Sequence, residues 1–288
     1  MNQHFSEADL ILNKDRSIYH LNLRAEHIAD TIIAVGDPSR VHKVTQYFDK
    51  VEFEMNKREF ITHTGFYKGK RLTVISSGMG TDNVEILLTE LDALVNIDFE
   101  KRQARETHRS LQIVRVGTSG SLQAAIGIDS FVASDYAIGL DTLMCFYQLP
   151  QNDFEQRIGQ RVQETLELPF RPYCVKGDDA LRSRLAFDML AGNTLTAPGF
   201  YAPQGRLLRL PIQYPQLIRT LSYFHEEDFW LTNFEMETAG YYALARLLGH
   251  QMISLNAILA NRITGEFSKN PDKTVDALIR QTLERLVS

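Results

Sequence analysis

Short β-branched and aliphatic runs alternate along this chain with longer stretches of helical period. Thr31-Ile32-Ile33-Ala34-Val35 runs into Gly36-Asp37-Pro38, Leu72-Thr73-Val74-Ile75-Ser76 into Ser77-Gly78-Met79-Gly80, and Ile113-Val114-Arg115-Val116 into Gly117-Thr118-Ser119-Gly120. A later run covers Ile253 to Leu259. Continuous apolar runs closed by turn residues predict strands covered on both faces. Between them, Asn83 to Leu94 repeats Val84, Leu87, Leu88, Leu91 and Leu94 at helical spacing. Phe234 to Leu248 does the same with Ala239, Tyr242, Ala243, Ala245 and Leu247, and stops at Gly249, a suitable helix-ending glycine. Asp272 to Val287 reads as a terminal helix with Pro271 setting its start. Strands alternating with helices predict an α/β fold with a largely parallel or mixed sheet, and no repeat or linker divides residues 1–288 into separate domains. Residues 96–110 depart from this pattern, with seven Asp, Glu, Lys or Arg residues in 15; they read as a solvated polar insertion or helix extension, or as a subunit-contact or regulatory segment.

Composition narrows the functional classes. At 288 residues, 44% hydrophobic and 23% charged, the chain can build a full core. Its formal charge of −5 argues against nucleic-acid polymers, which are bound through a basic footprint. The acidic start and the lack of a long apolar run predict a soluble cytoplasmic protein with no signal peptide and no membrane span. Cys145 and Cys174 lack metal spacing and are expected to be small core residues in a reducing compartment. The eight histidines form no HExxH or other ligand pair in sequence, so no metal is expected.

The candidate chemistry lies at the strand ends, where open α/β sheets bind ligands. After the first strand, Gly36 would let a backbone amide approach an anion and Arg40 would fork onto it; the plain alternative is a turn leading into a helix. Arg115 sits inside an apolar strand, where an unpaired charge costs several kcal/mol, so it requires an acidic partner or an anionic ligand. The following Gly117-Thr118-Ser119-Gly120 reads as a turn offering amides and hydroxyls, an oxyanion cradle beside that arginine. Ser77-Gly78-Met79-Gly80-Thr81 resembles half a dinucleotide fingerprint but lacks its third glycine and acidic partner, which excludes NAD. Glu235 and Glu237 stand at the expected start of a helix, where one would cap or pair while the other meets a ligand such as vicinal hydroxyls. Phe200, Gln204 and Arg206 share a Pro/Gly loop in which an aromatic face could stack a base while amide and guanidinium read its edge.

In this order, GDPSR, REF, RVGTSG, FYAPQGR and NFEMET resemble the nucleoside phosphorylase superfamily of the trimeric and hexameric type, and within it the uridine phosphorylase branch. The resemblance runs from Tyr19-His20-Leu21 to the C-terminal helix. It implies one domain with a central mixed sheet, partly barrel-like, flanked by helices. It implies that Gly36, Arg40, Arg115 and Thr118 bind phosphate, with Arg58 lent to the phosphate site of a neighbouring subunit and His20 lent to the ribose 5′ end. Met236 and Glu237, with Glu235 beside them, match the ribose contacts; Phe200, Gln204 and Arg206 match the uracil pocket. Purine-cleaving relatives carry a Ser-Asp pair after the late strand. This chain has Leu259-Ala260-Asn261-Arg262 there, with no acid, and Arg262 would help hold the uracil O4 side. Asn22 stands where a glycine is common, and Asn83 where the cation-binding bacterial members use a serine alongside a glutamate like Glu59, which argues against a potassium site.

The implied reaction is reversible phosphorolysis of uridine to uracil and ribose 1-phosphate. Arg206, Gln204 and Arg115 would be the catalytic groups, with no cofactor beyond phosphate as co-substrate, in a homo-oligomer built from dimers, up to a hexamer. The other readings are a broad pyrimidine phosphorylase, a purine phosphorylase, and a catalytically silent nucleoside-binding homologue.

Overall fold

The computed structural model describes residues 4–288. The chain enters the sheet at β1 (Thr31–Val35), turns through α1 (Ser39–Thr45), and returns as an antiparallel meander of β2 (Lys50–Lys57), β3 (Phe60–Tyr67) and β4 (Lys70–Ser76). Helix α2 (Thr81–Asn96) follows, then a small ladder of β5 (Ile97–Asp98) and β6 (Gln103–Ala104), and the long β7 (Gln112–Ser121) and β8 (Phe131–Gly139). Next come α3 (Asp153–Leu166), β9 (Tyr173–Lys176), α4 (Asp179–Leu185), β10 (Leu190–Thr196) and α5 (Leu217–Ser222). The chain closes with the β11 (His225–Glu226) and β12 (Phe229–Trp230) ladder, β13 (Asn233–Glu235), α6 (Thr238–Leu248), β14 (Gln251–Asn261) and α7 (Pro271–Val287).

The main sheet runs β13-β10-β8-β14-β7-β1-β4-β3-β2, and β13 also pairs with β7. That extra pairing closes β7, β14, β8, β10 and β13 into a ring, while β1 to β4 extend from it as an open wing. The sheet is mixed: β1 lies parallel to both β4 and β7, whereas β14 is parallel to β7 and antiparallel to β8. Helices cover both sides. The apolar face of α2 packs with α6 and the N-terminal segment, and α1, α4 and α7 pack on the other side of the sheet. All of β1 is buried, as an uninterrupted Thr-Ile-Ile-Ala-Val run requires.

The α/β reading holds, with local corrections. Gly117-Thr118-Ser119-Gly120 is not a turn: β7 continues through it to Ser121, paired with β14. Asn233–Glu235 is a strand rather than the opening of a helix, and α6 begins at Thr238. The expected end of α6 is present, since Gly249 adopts φ +74° and the amide of His250 donates to the carbonyl of Ala245 at 2.8 Å. Residues 96–110 do not extend α2. They fold back as the β5–β6 ladder and hold the N-terminal segment: the Phe5 amide donates to Arg102, and the Arg102 guanidinium donates to the carbonyls of Phe5, Ser6 and Leu10. Cys174 is a core residue as expected, but Cys145 is exposed.

The fold also gathers Asp92, His108 and His250, which sequence spacing did not connect because α2, the segment before β7 and the segment before β14 each supply one. The Leu111 amide donates to Nδ1 of His250 at 3.2 Å, so the neutral ring carries its proton on Nε2, which faces Asp92 at 3.4 Å. The Leu111–His250 bond and the contact of His108 Nε2 with the Leu248 carbonyl tie these elements together, while Nε2 of His250 makes no hydrogen bond among the described residues.

Candidate active site

Beyond the carboxyl ends of β1, β4 and β7 lies a cavity of about 710 Å³, well suited to a small polar ligand. Gly36, Arg40, Arg115, Thr118, Phe200, Gln204, Arg206, Glu235, Met236 and Glu237 all line it, so segments scattered over most of the sequence converge as expected. His20 and Arg58 do not line the cavity of their own chain, and they stand near each other: the Arg58 guanidinium is 6.0 Å from the Tyr19 ring, which meets the His20 ring edge-on. Arg58 occupies the two-residue turn between β2 and β3 at φ +53°; its neighbour in that turn, Glu59, does line the cavity.

At one end, Arg115 is 3% exposed and does have acidic partners. Its Nη2 lies 2.5 Å from Glu237 Oε2 and 3.0 Å from Glu235 Oε2, and Nη1 donates to Ser254 Oγ and Asn256 Oδ1. The register explains these partners: Arg115 pairs with Ser254 and Gly117 with Asn256 on the adjacent strand β14. Residues two apart share a strand face, so the Arg115 side chain runs over Gly117. A Cβ on Gly117 would sit 2.0 Å from Nη1 and 2.6 Å from Cζ. The glycine in RVGTSG is thus a bed for the guanidinium rather than a turn residue.

The two glutamates do not divide their roles as the sequence suggested. Glu235 pairs with Arg115 and also caps α6, accepting from the amides of Glu237 and Thr238 and from the Thr196 hydroxyl. Glu237 pairs with Arg115 through one oxygen and accepts from the Gly80 amide at 3.0 Å through the other. Burial raises the Glu237 carboxyl above its usual range, with the Arg115 charge opposing and Glu235 adding. Burial disfavours the Arg115 charge, but the two carboxylates outweigh it and hold the guanidinium above its ordinary value.

Arg40 is placed differently. It donates to the carbonyl of Val116 at 3.2 Å and has no carboxylate in ion-pair range among the described residues. Burial, and then the nearby Arg115, depress its pKa. A half-buried guanidinium facing a second one, without a carboxylate of its own, is a setting that an anion would relieve.

At the other end, Arg206 lies 3.6 Å over the Phe200 ring and donates to Gln204 Oε1 at 2.6 Å and to the Phe200 carbonyl. Arg262 donates to the Gln204 carbonyl at 3.0 Å and lies 5.6 Å from the Phe234 ring. Burial, with Arg262 adding, pushes Arg206 down to about 10. Asn261 is structural: it ties the Gln123 and Ile126 carbonyls to the amides of Ile263 and Thr264. Phe234 and Phe267 also line the cavity and were not singled out in the sequence. Phe234 stands one residue before Glu235 in NFEMET, whereas no local signal marks Phe267, which reaches the cavity through a bridge between its backbone and Ala260.

The chain has relatives among known proteins. The family model of the phosphorylase superfamily matches residues 30–288. Uridine phosphorylase of Thermococcus kodakarensis is 28% identical over 276 residues, covering 95% of this chain and 88% of that protein. The DeoD-type purine nucleoside phosphorylase of Colwellia psychrerythraea is 25% identical over 275 residues, covering 93% of this chain and 98% of that one. Among solved structures, a Trypanosoma brucei nucleoside phosphorylase described as showing uridine phosphorylase activity superposes with a TM-score of 0.87 at 28% identity, over 97% of this chain and 99% of that one. A uridine phosphorylase of Phytophthora capsici shares the fold, with a TM-score of 0.71 at 22% identity over 99% of each chain.

Proposed function

The chain belongs to the phosphorylase superfamily and is a pentosyltransferase of the nucleoside phosphorylase kind, and within that class we propose that it cleaves uridine with phosphate to give uracil and ribose 1-phosphate. The observation that carries this reading is the chemistry of the base end. Gln204 and Arg206 line it, Arg262 backs it through the Gln204 carbonyl, and the carboxylates that line the cavity are Asp37 of the Arg40 turn, Glu59 of the Arg58 turn, Glu235 at the end of β13 and Glu237 after it. A leaving uracil gains negative charge on its O2/N3/O4 edge, which amide and guanidinium donors stabilise. A leaving purine needs a proton at N7, for which position 261 offers an asparagine already committed to the backbone.

In the proposed reaction a phosphate oxygen forms a bond to C1′ as the C1′–N1 bond breaks, and the electron pair leaves with uracil, which takes up a proton. Positive charge builds on the sugar before attack. Arg40, the amide of Gly36 and the Thr118 hydroxyl hold the phosphate, and Arg58 of a neighbouring subunit completes the set. Arg115 adds its positive potential there while fixing Glu237, which with Met236 and Glu235 forms the ribose end. Positioning of this kind supplies roughly 7–11 kcal/mol in favourable cases. The base-end donors act where charge develops, the electrostatic mode of catalysis. The same packing argues against a silent binder, since Arg40 faces a second guanidinium without a carboxylate of its own.

The test is to incubate the protein with uridine, thymidine, 2′-deoxyuridine and inosine, each with and without phosphate. Phosphate-dependent release of uracil with ribose 1-phosphate is expected, with inosine inert. Thymidine cleaved as fast as uridine makes it a broad pyrimidine phosphorylase. Preference for inosine, or cleavage without phosphate, overturns the proposal.

A further inference from the structure

One hydrogen-bonded circuit passes through all five strands of the closed ring. Arg115 on β7 donates from Nη1 to Asn256 Oδ1 on β14 at 3.1 Å, and Asn256 Nδ2 donates to Ser134 Oγ on β8 at 3.1 Å. Ser134 Oγ and Thr194 Oγ1 on β10 lie 2.6 Å apart, and Thr194 donates to Asn233 Oδ1 on β13 at 3.1 Å. Asn233 Nδ2 then donates to Ser119 Oγ at 2.9 Å, back on β7. Asn256, Ser134, Thr194 and Asn233 are fully buried. Of these six residues the proposed reaction uses Arg115 alone.

A guanidinium has hydrogens to give and no lone pair to offer, and that fixes the sense of every later bond. Asn256 turns its oxygen to Arg115 and its amide nitrogen to Ser134. Ser134 therefore accepts there and gives its one hydrogen to Thr194, which gives its own to Asn233. The Thr232 hydroxyl meets the same Asn233 oxygen at 2.7 Å, which leaves the amide nitrogen for Ser119. Each group that accepts becomes a better donor to the next. The circuit ends on a hydrogen that no protein group takes: Ser119 Oγ makes no other hydrogen bond among the described residues, and Ser119 lines the cavity. Its neighbour Gly120 packs on the Arg262 side chain and pairs across the sheet with Phe234, which also lines the cavity, so Ser119 stands at the base end. We infer that Ser119 donates its hydroxyl hydrogen to an oxygen of the bound base, with Asn256, Ser134, Thr194 and Asn233 as positioning residues that fix the direction of that bond. The inference rests on the proposed placement of a nucleoside base at this end. It deepens that reading by naming what the base must offer: a carbonyl oxygen that accepts a hydrogen bond and gains charge as the glycosidic bond breaks.

Two variants test it. Ser119→Ala removes the donor, and Asn233→Asp reverses the last link: an ionised carboxylate only accepts, so it draws the Ser119 hydrogen away from the cavity, whereas a protonated one donates to Ser119 as asparagine does. Calorimetric titration with uracil in phosphate, which needs no turnover, should show about tenfold weaker binding to Ser119→Ala than to the wild type, the worth of one well-placed hydrogen bond. In Ser119→Ala, kcat/KM for uridine should fall at least as far, with KM for phosphate unchanged. Asn233→Asp should match Ser119→Ala at high pH and recover as pH falls through the titration of the new carboxyl, which burial places above the ordinary aspartate value of about 3.9. That limb should be absent from the wild type and from the Ser119→Ala/Asn233→Asp double variant. Uracil binding and uridine cleavage at wild-type levels in Ser119→Ala overturn the inference. A loss in Asn233→Asp that is the same at every pH, in a protein whose melting temperature matches wild type, overturns the positioning role of the circuit. A wild type that binds uracil tenfold better than Ser119→Ala yet cleaves no uridine defeats the proposed function alone, and a wild type that binds no uracil defeats both.

Discussion

The Arg115 guanidinium lies against Gly117 so closely that a methyl group there would meet Nη1 at 2.0 Å. Gly117→Ala must therefore push the guanidinium out of its pair with Glu235 and Glu237, and the neighbouring β14 leaves no slack in the backbone. Separating a buried ion pair costs about 3–5 kcal/mol. We expect Gly117→Ala to lower stability by about that amount in urea titration and to reduce kcat/KM by about a hundredfold or more. Wild-type stability and turnover in this variant would contradict the packing argument.

Arg206 touches the aromatic and amide groups of the base end and makes no hydrogen bond at the Arg40 end. Arg206→Ala should depress kcat by about a hundredfold, the usual cost of losing a donor aimed at developing charge. The KM for phosphate should stay near the wild-type value. An equal loss of phosphate affinity would remove Arg206 from the base end.

Arg58 and Arg40 provide an assembly test. Arg40 has no carboxylate partner among the described residues, so Arg40→Ala leaves no buried charge orphaned and should fold, unlike a change at Arg115. If Arg58 serves the neighbouring site, mixing inactive Arg40→Ala with inactive Arg58→Ala rebuilds one complete site in each mixed dimer. Activity should recover to roughly a quarter of wild type at random pairing across a two-fold interface. No recovery after verified subunit exchange would show that each site is built from one chain.

Asp141 gives a pH test remote from the cavity. Burial raises its carboxyl above the ordinary 3.8, against hydrogen bonds from Tyr173 and the Leu143 amide. The folded state therefore holds this proton more tightly than the unfolded chain. Its contribution is full below the unfolded value and is lost as pH rises through the raised one. Asparagine does not titrate, so Asp141→Asn should gain stability relative to wild type as pH rises above about 4 and through the raised value. Urea midpoints across that range measure it, and a difference that stays flat or shrinks would refute it.

Much of this site was legible in the sequence because its residues sit at the ends of strongly patterned strands. Gly36 and Arg40 follow the all-buried β1, and Arg115 inside its apolar strand required a counter-charge from elsewhere. The tertiary roles were not legible. Gly117 reads as a turn residue in one dimension, and only the lateral pairing of β7 with β14 shows that the strand runs on and the glycine makes room. Glu235 looked like a helix-start acid; the β13 pairing with β10 and β7 moved the helix start beyond it and let it cap and pair at once. The sheet order was equally hidden, because the β13–β7 contact joins residues more than a hundred positions apart.

The closed ring of β7, β14, β8, β10 and β13 divides the site into two parts with different freedom to evolve. Arg115 and Glu235 are carried by ring strands and Glu237 stands just before the helix that Glu235 caps, so a change at any one must be matched by its neighbours in register. Phe200, Gln204 and Arg206 lie on a connection outside the ring, where replacements, insertions and new side chains disturb no strand pairing, whereas the Arg262 amide still donates to Ser121 of β7. The Arg115–Glu235–Glu237 cluster is thus fixed with the barrel, while the side chains at the opposite end of the cavity can change on the loop that caps it.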